Sequence, residues 1–358
     1  MRLYKRIVLL CFESVSQKML PFYNKNIPVE TMPFLHTLLG SHPRLDKLCT
    51  AHSPTNHGMH ALLSSRMAYD YDMRHGIGRI DSLASLLREA GYGTYFLTGV
   101  TRHYGDKELF CKSLLRYEHF FSEESVRALY DSPPSLQWGI ADKVMFDLAL
   151  RVLDAQRDAP VFLTLHTLNT HPTFFHSLEE DAFPEYIRKT SSKLLRALFE
   201  SDRDIMGFFK GLGKLRLLDE DTLVIITSDH SPSAGPEYLE FFGADDYSPD
   251  LIPCLFVTGK GSASPFAGLN PNTVCSQLDF LPTIVDALGL RRPGHLMGRS
   301  LFCGQDNPVI SQYSHDLRIK TRNADCFVNI APGNDLGEAE FLRKWYNNNL
   351  LDPYTAKG

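Results

Sequence analysis

The chain is punctuated by short, almost uninterrupted apolar runs: "RIVLLCF" (6–12), "GTYFLTG" (93–99), "PVFLTLH" (160–166), "TLVIITS" (222–228) and "IPCLFVTG" (252–259). A strand with one face in water alternates apolar and polar side chains, so continuous runs rich in Val, Ile, Leu and Phe predict strands covered on both faces. Between them the apolar positions change to a spacing of three to four, the period of a helix. "DSLASLLREAGYG" takes Asp81 or Ser82 as N-cap and Gly91 as its stop. "ADKVMFDLALRVLDAQ", the stretch from Ser191 to Lys210 and "DFLPTIVDALGL", ending at Gly289, follow the same spacing. "AHSPTNHGMHALLSS" starts a further helix, with Ser53 as cap and Pro54 in the first helical position. Strands alternating with helices predict an α/β fold with a mostly parallel central sheet and helices on both faces. After about Phe302 the pattern changes to short strands and turns, "PVISQYSHDLRIK" and "DCFVNIAPGND". The expected organisation is a main domain over 1–302 and a small C-terminal α+β subdomain over 303–358.

Composition narrows the function classes. With 358 residues the chain can bury a sizeable core, and 43% apolar with 22% charged residues is ordinary for a globular protein. A net charge of −5 with scattered Lys and Arg provides no polyanion-binding face, so no nucleic-acid partner is expected. No apolar run reaches the ~18–20 residues of a membrane span. The start, "MRLYKRIVLLCFES", lacks a small-residue cleavage site and runs straight into a strand, which argues against a signal peptide. Two locations follow as expectations: cytoplasmic if Met1 is the native start, extracytoplasmic if this is a domain of a membrane-anchored parent. Seven widely spaced cysteines without a C-x-x-C fit neither a disulfide framework nor a thiolate zinc site.

In open α/β sheets, ligands bind beyond the carboxyl ends of the strands. Glu13 follows the first strand there, and "TLVIITSDHS" delivers Asp229 and His230 to the same edge. Two carboxylates and an imidazole suit a divalent ion, zinc or manganese. Thr55 falls in the first turn of its helix, where free N–H groups favour an anion. A hydroxyl there can act as a nucleophile when a metal lowers its pKa, with Ser53 as the neighbouring rival. In "LTLHTLNTHPTFF", His166 ends a strand and reads equally as a core histidine, whereas His171 lies in the following loop. A loop histidine at that edge can bind a phosphate or protonate a leaving group.

These blocks, together with "MPFLHTLL", "WGIADKVMF" and "GRSLF", come in an order that resembles the sulfatase/alkaline-phosphatase superfamily over roughly residues 6–302. Within it the chain is most similar to the lipoteichoic acid synthase and phosphoethanolamine transferase branch. That resemblance implies an alkaline-phosphatase-like sandwich and one Mn or Zn ion held by Glu13, Thr55, Asp229 and His230. It implies a substrate-phosphate contact from His171, and the W-G-x-x-D block makes Trp138 a candidate for lining the site. Members of that branch work in the cell envelope with a membrane anchor, and no run in this sequence reads as one. Sulfatases proper carry a C-x-P-S-R block whose first residue becomes formylglycine. Here "HSPTN" has His52 in that place and Asn56 where the Arg would stand, which disfavours sulfate-ester hydrolysis. The histidine that supplies a second metal in phosphoethanolamine transferases is also missing from "SDHSPSAGPEYLEFFG".

The activity the resemblance implies is transfer of a phosphoglycerol or phosphoethanolamine head group from a phospholipid or glycan-linked phosphodiester to a hydroxyl acceptor, through a phospho-threonine. Hydrolysis of a phosphoric ester uses the same residues and is the alternative. Two further readings are a two-metal phosphomonoesterase, which the missing histidine opposes, and an inactive scaffold, which the intact Glu13, Thr55, Asp229 and His230 oppose.

Overall fold

The five apolar runs become five of the six strands of one sheet, which are β1 (Arg6–Phe12), β2 (Gly93–Thr98), β3 (His119–Phe121), β4 (Val161–His166), β5 (Thr222–Ser228) and β6 (Cys254–Thr258). Their order across the sheet is β6-β5-β1-β4-β2-β3. Every neighbouring pair is parallel except β5 with β6. The computed structural model describes residues 4–67, 81–190, 192–232, 238–239, 242, 251–259, 261, 263–294, 296–304, 308–313, 316–320 and 325–329. Ser191 and much of the expected 303–358 subdomain lie outside these described residues.

Successive side chains of a strand point to opposite faces, and both faces here are dry. From β1, Val8, Leu10 and Phe12 join one core cluster with α1 (Pro33–Ser41), α4 (Asp142–Ala155) and α5 (Lys193–Lys214). Ile7, Leu9 and Cys11 join the other, with α2 (Thr55–Ser64), α3 (Leu83–Glu89) and α6 (Phe280–Leu288). The result is the predicted sandwich of helices around a mostly parallel sheet. Ser82, not Asp81, caps α3, accepting from the Ser85 N–H at 3.1 Å.

Three features differ from the sequence reading or were not foreseen. Strand β3 is three residues long, too short to display a period. Helix α1 has no local side-chain cap. Its first free N–H groups, of Phe34 and Leu35, donate to the Asp202 carboxylate on α5 at 3.0 and 2.7 Å, a partner invisible along the chain. The third difference is the start of α2. Pro54 is the N-cap and Thr55 the first helical residue, while Ser53 belongs to a short strand, His52–Ser53. That strand pairs in parallel with Val309–Tyr313, which continues antiparallel into Asp316–Lys320 and Asp325–Asn329. Among the described residues, no helix is long and apolar enough to cross a membrane.

Candidate active site

Register brings the candidate residues to one edge. Cys11 on β1 lies opposite His166 on β4, and Phe12 lies opposite Ser228 on β5. The residues immediately beyond are therefore Glu13, Thr167 and Asp229. Ser14 adopts φ +53°, turning its N–H to the Asp229 Oδ1 at 2.8 Å. Thr167 and Thr170 hold the Glu13 backbone: Glu13 N donates to Thr167 Oγ1 at 3.1 Å, and Thr170 Oγ1 donates to the Glu13 carbonyl at 2.6 Å.

Glu13, Asp229 and His230 each offer one ligand atom, all within 4.8 Å of one another, and all three residues are buried. The His230 Nδ1 lies 2.6 Å from the Ser231 carbonyl, which can only accept, so Nδ1 carries a hydrogen and Nε2 faces the carboxylates. His166 Nε2 lies 3.2 Å from Glu13 Oε2 and 3.3 Å from Asp229 Oδ2. The Thr55 hydroxyl donates to Glu13 Oε2 at 3.1 Å and lies 3.5 Å from His230 Nε2.

The electrostatics of this cluster call for a cation. Burial by itself would raise the Glu13 carboxyl, yet hydrogen bonds and charge from His166 and His230 hold it well below the ordinary range. Burial would lower the His230 imidazole, but Asp229 and Glu13 push it up to about 9. His166 is likewise raised, its hydrogen bonds to Asp229 and Glu13 outweighing burial. Two buried carboxylates thus draw protons onto both neighbouring imidazoles. A divalent ion supplies that charge more compactly, and carboxylate, carboxylate and imidazole nitrogen fit one.

Above Thr55 opens a pocket lined by Val100, Tyr104, Lys107, Trp138, Leu168 and His171. Lys107 is 2% exposed. Its ammonium donates to the Asn56 Oδ1 at 2.6 Å and sits 5.7 Å from the Phe110 ring centre, with no carboxylate paired to it among the described residues. Its hydrogen-bond acceptor among the described residues is neutral, although the Glu13 carboxylate lines the same pocket, and an anion entering there adds compensating charge beside the ammonium. Trp138 stands between His171 and Tyr104, with ring centres 4.9 and 5.8 Å away. The His171 Nδ1 lies 2.8 Å from the Pro172 carbonyl, so it too holds a hydrogen and leaves Nε2 for other chemistry. His52 is buried against His57 at 4.6 Å, and burial, with His57 and His60 nearby, pushes it down to about 3.

A family profile described as Sulfatase matches residues 5–290, most of the chain. The chain belongs to the sulfatase family. Among its relatives, mouse (Mus musculus) arylsulfatase K is 31% identical over 172 residues, covering 47% of this chain and 28% of the relative. Phosphoglycerol transferase I of Salmonella arizonae is 25% identical over 152 residues, covering 41% of this chain and 20% of the relative. The chain therefore spans less than a third of the length of these curated relatives. Three solved structures share the fold. A protein of the alkaline phosphatase superfamily from Vibrio parahaemolyticus superposes with a TM-score of 0.73 at 19% identity, covering 98% of this chain and 88% of that one. The lipoteichoic acid synthase LtaP from Listeria monocytogenes gives 0.69 at 14%, covering 97% and 90%. The C-terminal periplasmic domain of EptC from Escherichia coli, in complex with Zn, gives 0.65 at 15%, covering 94% and 95%.

The fold brings Glu13, Thr55, Asp229 and His230 into one cluster, and Thr55, Trp138 and His171 into one pocket. Ser53 does not line that pocket. Sequence reasoning missed Lys107 and Tyr104, and it left His166 open between core and site. A signal existed for Lys107: "TRHYGDK" follows β2 at the same carboxyl edge that directed attention to Glu13 and Asp229.

Proposed function

We propose that this sulfatase-family chain is a metal-dependent phosphotransferase that acts on a phosphodiester through Thr55. The observation that carries the reading is the Thr55 hydroxyl, 3.1 Å from Glu13 and 3.5 Å from His230, in a pocket shared with the buried Lys107 ammonium. Glu13, Asp229, His230 and Thr55 would hold one zinc or manganese ion, which would supply Lewis-acid chemistry: a lowered pKa for the Thr55 hydroxyl and a polarised phosphoryl group.

Thr55 Oγ, its proton released to solvent, attacks phosphorus in line with the departing alcohol oxygen, forming the Thr55 O–P bond as the bond to the alcohol breaks. Lys107 neutralises charge on the non-bridging oxygens, and protonated His171 gives its Nε2 proton to the leaving oxygen. Trp138 and Tyr104 wall the space the leaving group occupies. A hydroxyl acceptor then loses its proton to His171 and attacks from the vacated side, restoring Thr55. The transferred group is of the phosphoglycerol or phosphoethanolamine type, and the donor is a phospholipid or glycan-linked phosphodiester. Water as acceptor turns the same steps into hydrolysis. Similarity to arylsulfatase K keeps sulfuric esters as a second reading, but His52 and Asn56 in the "HSPTN" block disfavour it.

Intact-mass analysis after incubation with phosphatidylglycerol or phosphatidylethanolamine vesicles tests the reading. A mass equal to the head-group phosphate should appear on the 51–66 peptide at Thr55, vanish in Thr55→Ala, and accumulate in His171→Ala as turnover slows ~10²–10⁴-fold. Undiminished turnover by Thr55→Ala, or an adduct on Ser53, sinks Thr55 as the nucleophile.

A further inference from the structure

We propose that the buried carboxylate of Asp142, at the start of α4, is a positioning residue that fixes the loop bearing His171 and so sets the reach of that imidazole over Thr55. This rests on the role given to His171 above. Between β4 and the turn at Glu180–Ala182 the chain has no strand or helix, yet its backbone is held at both ends by buried acids. Asp142 is 1% exposed and accepts from the Leu168 N–H at 2.6 Å and the Asn169 N–H at 3.0 Å, one to each oxygen. Asn169 answers through its side chain, whose Oδ1 accepts from the Asp142 N–H at 3.2 Å. Downstream, Glu200 on α5, also 1% exposed, accepts from the Ser177 N–H at 2.7 Å and the Leu178 N–H at 3.3 Å.

His171 depends directly on the upstream anchor. Its own N–H donates to the Leu168 carbonyl at 3.0 Å, and Phe175 N–H donates to the Asn169 carbonyl at 3.1 Å, so the turn around His171 closes on the two residues that Asp142 grips. Burial pushes the Asp142 carboxyl up to about 7, while the Asn169 and Leu168 N–H groups favour its charged form, and both of its oxygens accept from the loop in the geometry described. Asp142 lies outside the metal cluster and does not line the pocket. Its bonds go to the loop.

The test uses the full-length, metal-loaded chain with bis(4-nitrophenyl) phosphate as probe. Asp142→Asn keeps the shape but replaces one acceptor with a donor that faces an N–H. Hydrogen exchange at residues 168–171 should rise roughly tenfold while β4 and β5 stay protected. Metal content should not change, and kcat should fall about 10- to 100-fold, the cost of a displaced catalytic group. In a His171→Ala background the same substitution should cost less than about twofold, because its effect passes through His171. Unchanged exchange at 168–171 overturns the proposal, as does an equal loss of rate in the two backgrounds. A full rate for His171→Ala overturns the catalytic reading of His171 instead, while the exchange measurement still decides the anchoring. Should Asp142→Asn fail to fold, Asn169→Ala removes the reciprocal bond and leaves both carboxylate oxygens in place. It should raise exchange at 168–171 by a smaller factor, and no rise counts against the anchor.

Discussion

Lys107 is held in place by a neutral amide. Had evolution needed only a structural lysine there, a carboxylate would stabilise it better, since an opposite charge compensates desolvation and an Asn oxygen does so only in part. The arrangement leaves donors on a buried ammonium facing the space above Thr55. Lys107→Met keeps the aliphatic stem and deletes the charge. It should leave metal content unaltered and raise KM for a phosphodiester by about 10- to 100-fold, the equivalent of one charge-assisted hydrogen bond. Steady-state kinetics beside metal analysis reads this directly, and an unmoved KM would reduce Lys107 to a partner of Asn56. His166 illustrates a related point at the same scale. Its Nε2 touches both Glu13 and Asp229, so it orients the carboxylates whether or not it contacts anything else.

Helix α2 can present Thr55 only because its backbone lies against the end of β5. A Cβ on Gly58 would sit 2.0 Å from the Asp229 carbonyl oxygen and 2.9 Å from that of His52, both backbone atoms that cannot swing aside. Gly58→Ala should therefore cost about 1–3 kcal/mol and weaken metal binding together, because helix and ligand-bearing strand must part. A melt and a metal titration that both match the wild type would show slack in this contact. A half-buried acid of α5, Asp204, carries a pH signature. Burial, then the charges of Asp142 and Glu200, push the Asp204 carboxyl up to about 8, and its Oδ2 has no hydrogen-bond partner among the described residues. The unfolded chain releases that proton near pH 4, whereas the folded one keeps it to about 8. This contribution is thus complete below pH ~4 and is lost as pH rises through 8. Asp204→Asn should match the wild type near pH 4–5 and exceed it by about 1–3 kcal/mol at pH 9. Denaturant melts across that range decide it, and a variant with the wild-type slope would exonerate Asp204.

On the scale of the molecule, the strand leading into Thr55 takes its support from the far end of the chain. Gln312 pairs with His52 and Tyr313 with Ser53, and Ile310, Leu317 and Ile319 share a core cluster with Ala51, Ala61 and Leu278. Ile310→Ala should destabilise the protein by about 2–4 kcal/mol through the cavity it leaves. It should also slow turnover more than Ile284→Ala, a change at another buried isoleucine, within α6. Equal rates in the two variants would mean that the C-terminal strands only add stability. We accordingly propose that the strands over 309–313 and 316–320 buttress the nucleophile segment, which this comparison tests.

Period and position along the chain were enough to determine the sandwich and to bring Glu13, Asp229 and His230 to one edge of it. Doubly covered strands must be continuously apolar, and a parallel sheet puts its strand ends at one edge. Glu13 and Asp229–His230, each directly after such a run, were therefore bound to meet once β1 and β5 became neighbours. Lys107, Asp142 and the cap of α1 obey no such rule. Lys107 meets Asn56, Asp142 meets Leu168 and Asp202 meets Leu35 through loops and helix ends, whose mutual approach depends on how whole layers pack. A side chain's local pattern records which face is dry, since burial is set by periodicity. It holds no record of which distant N–H or ammonium will lie within 3 Å, because that distance exists only after the helices have closed on the sheet.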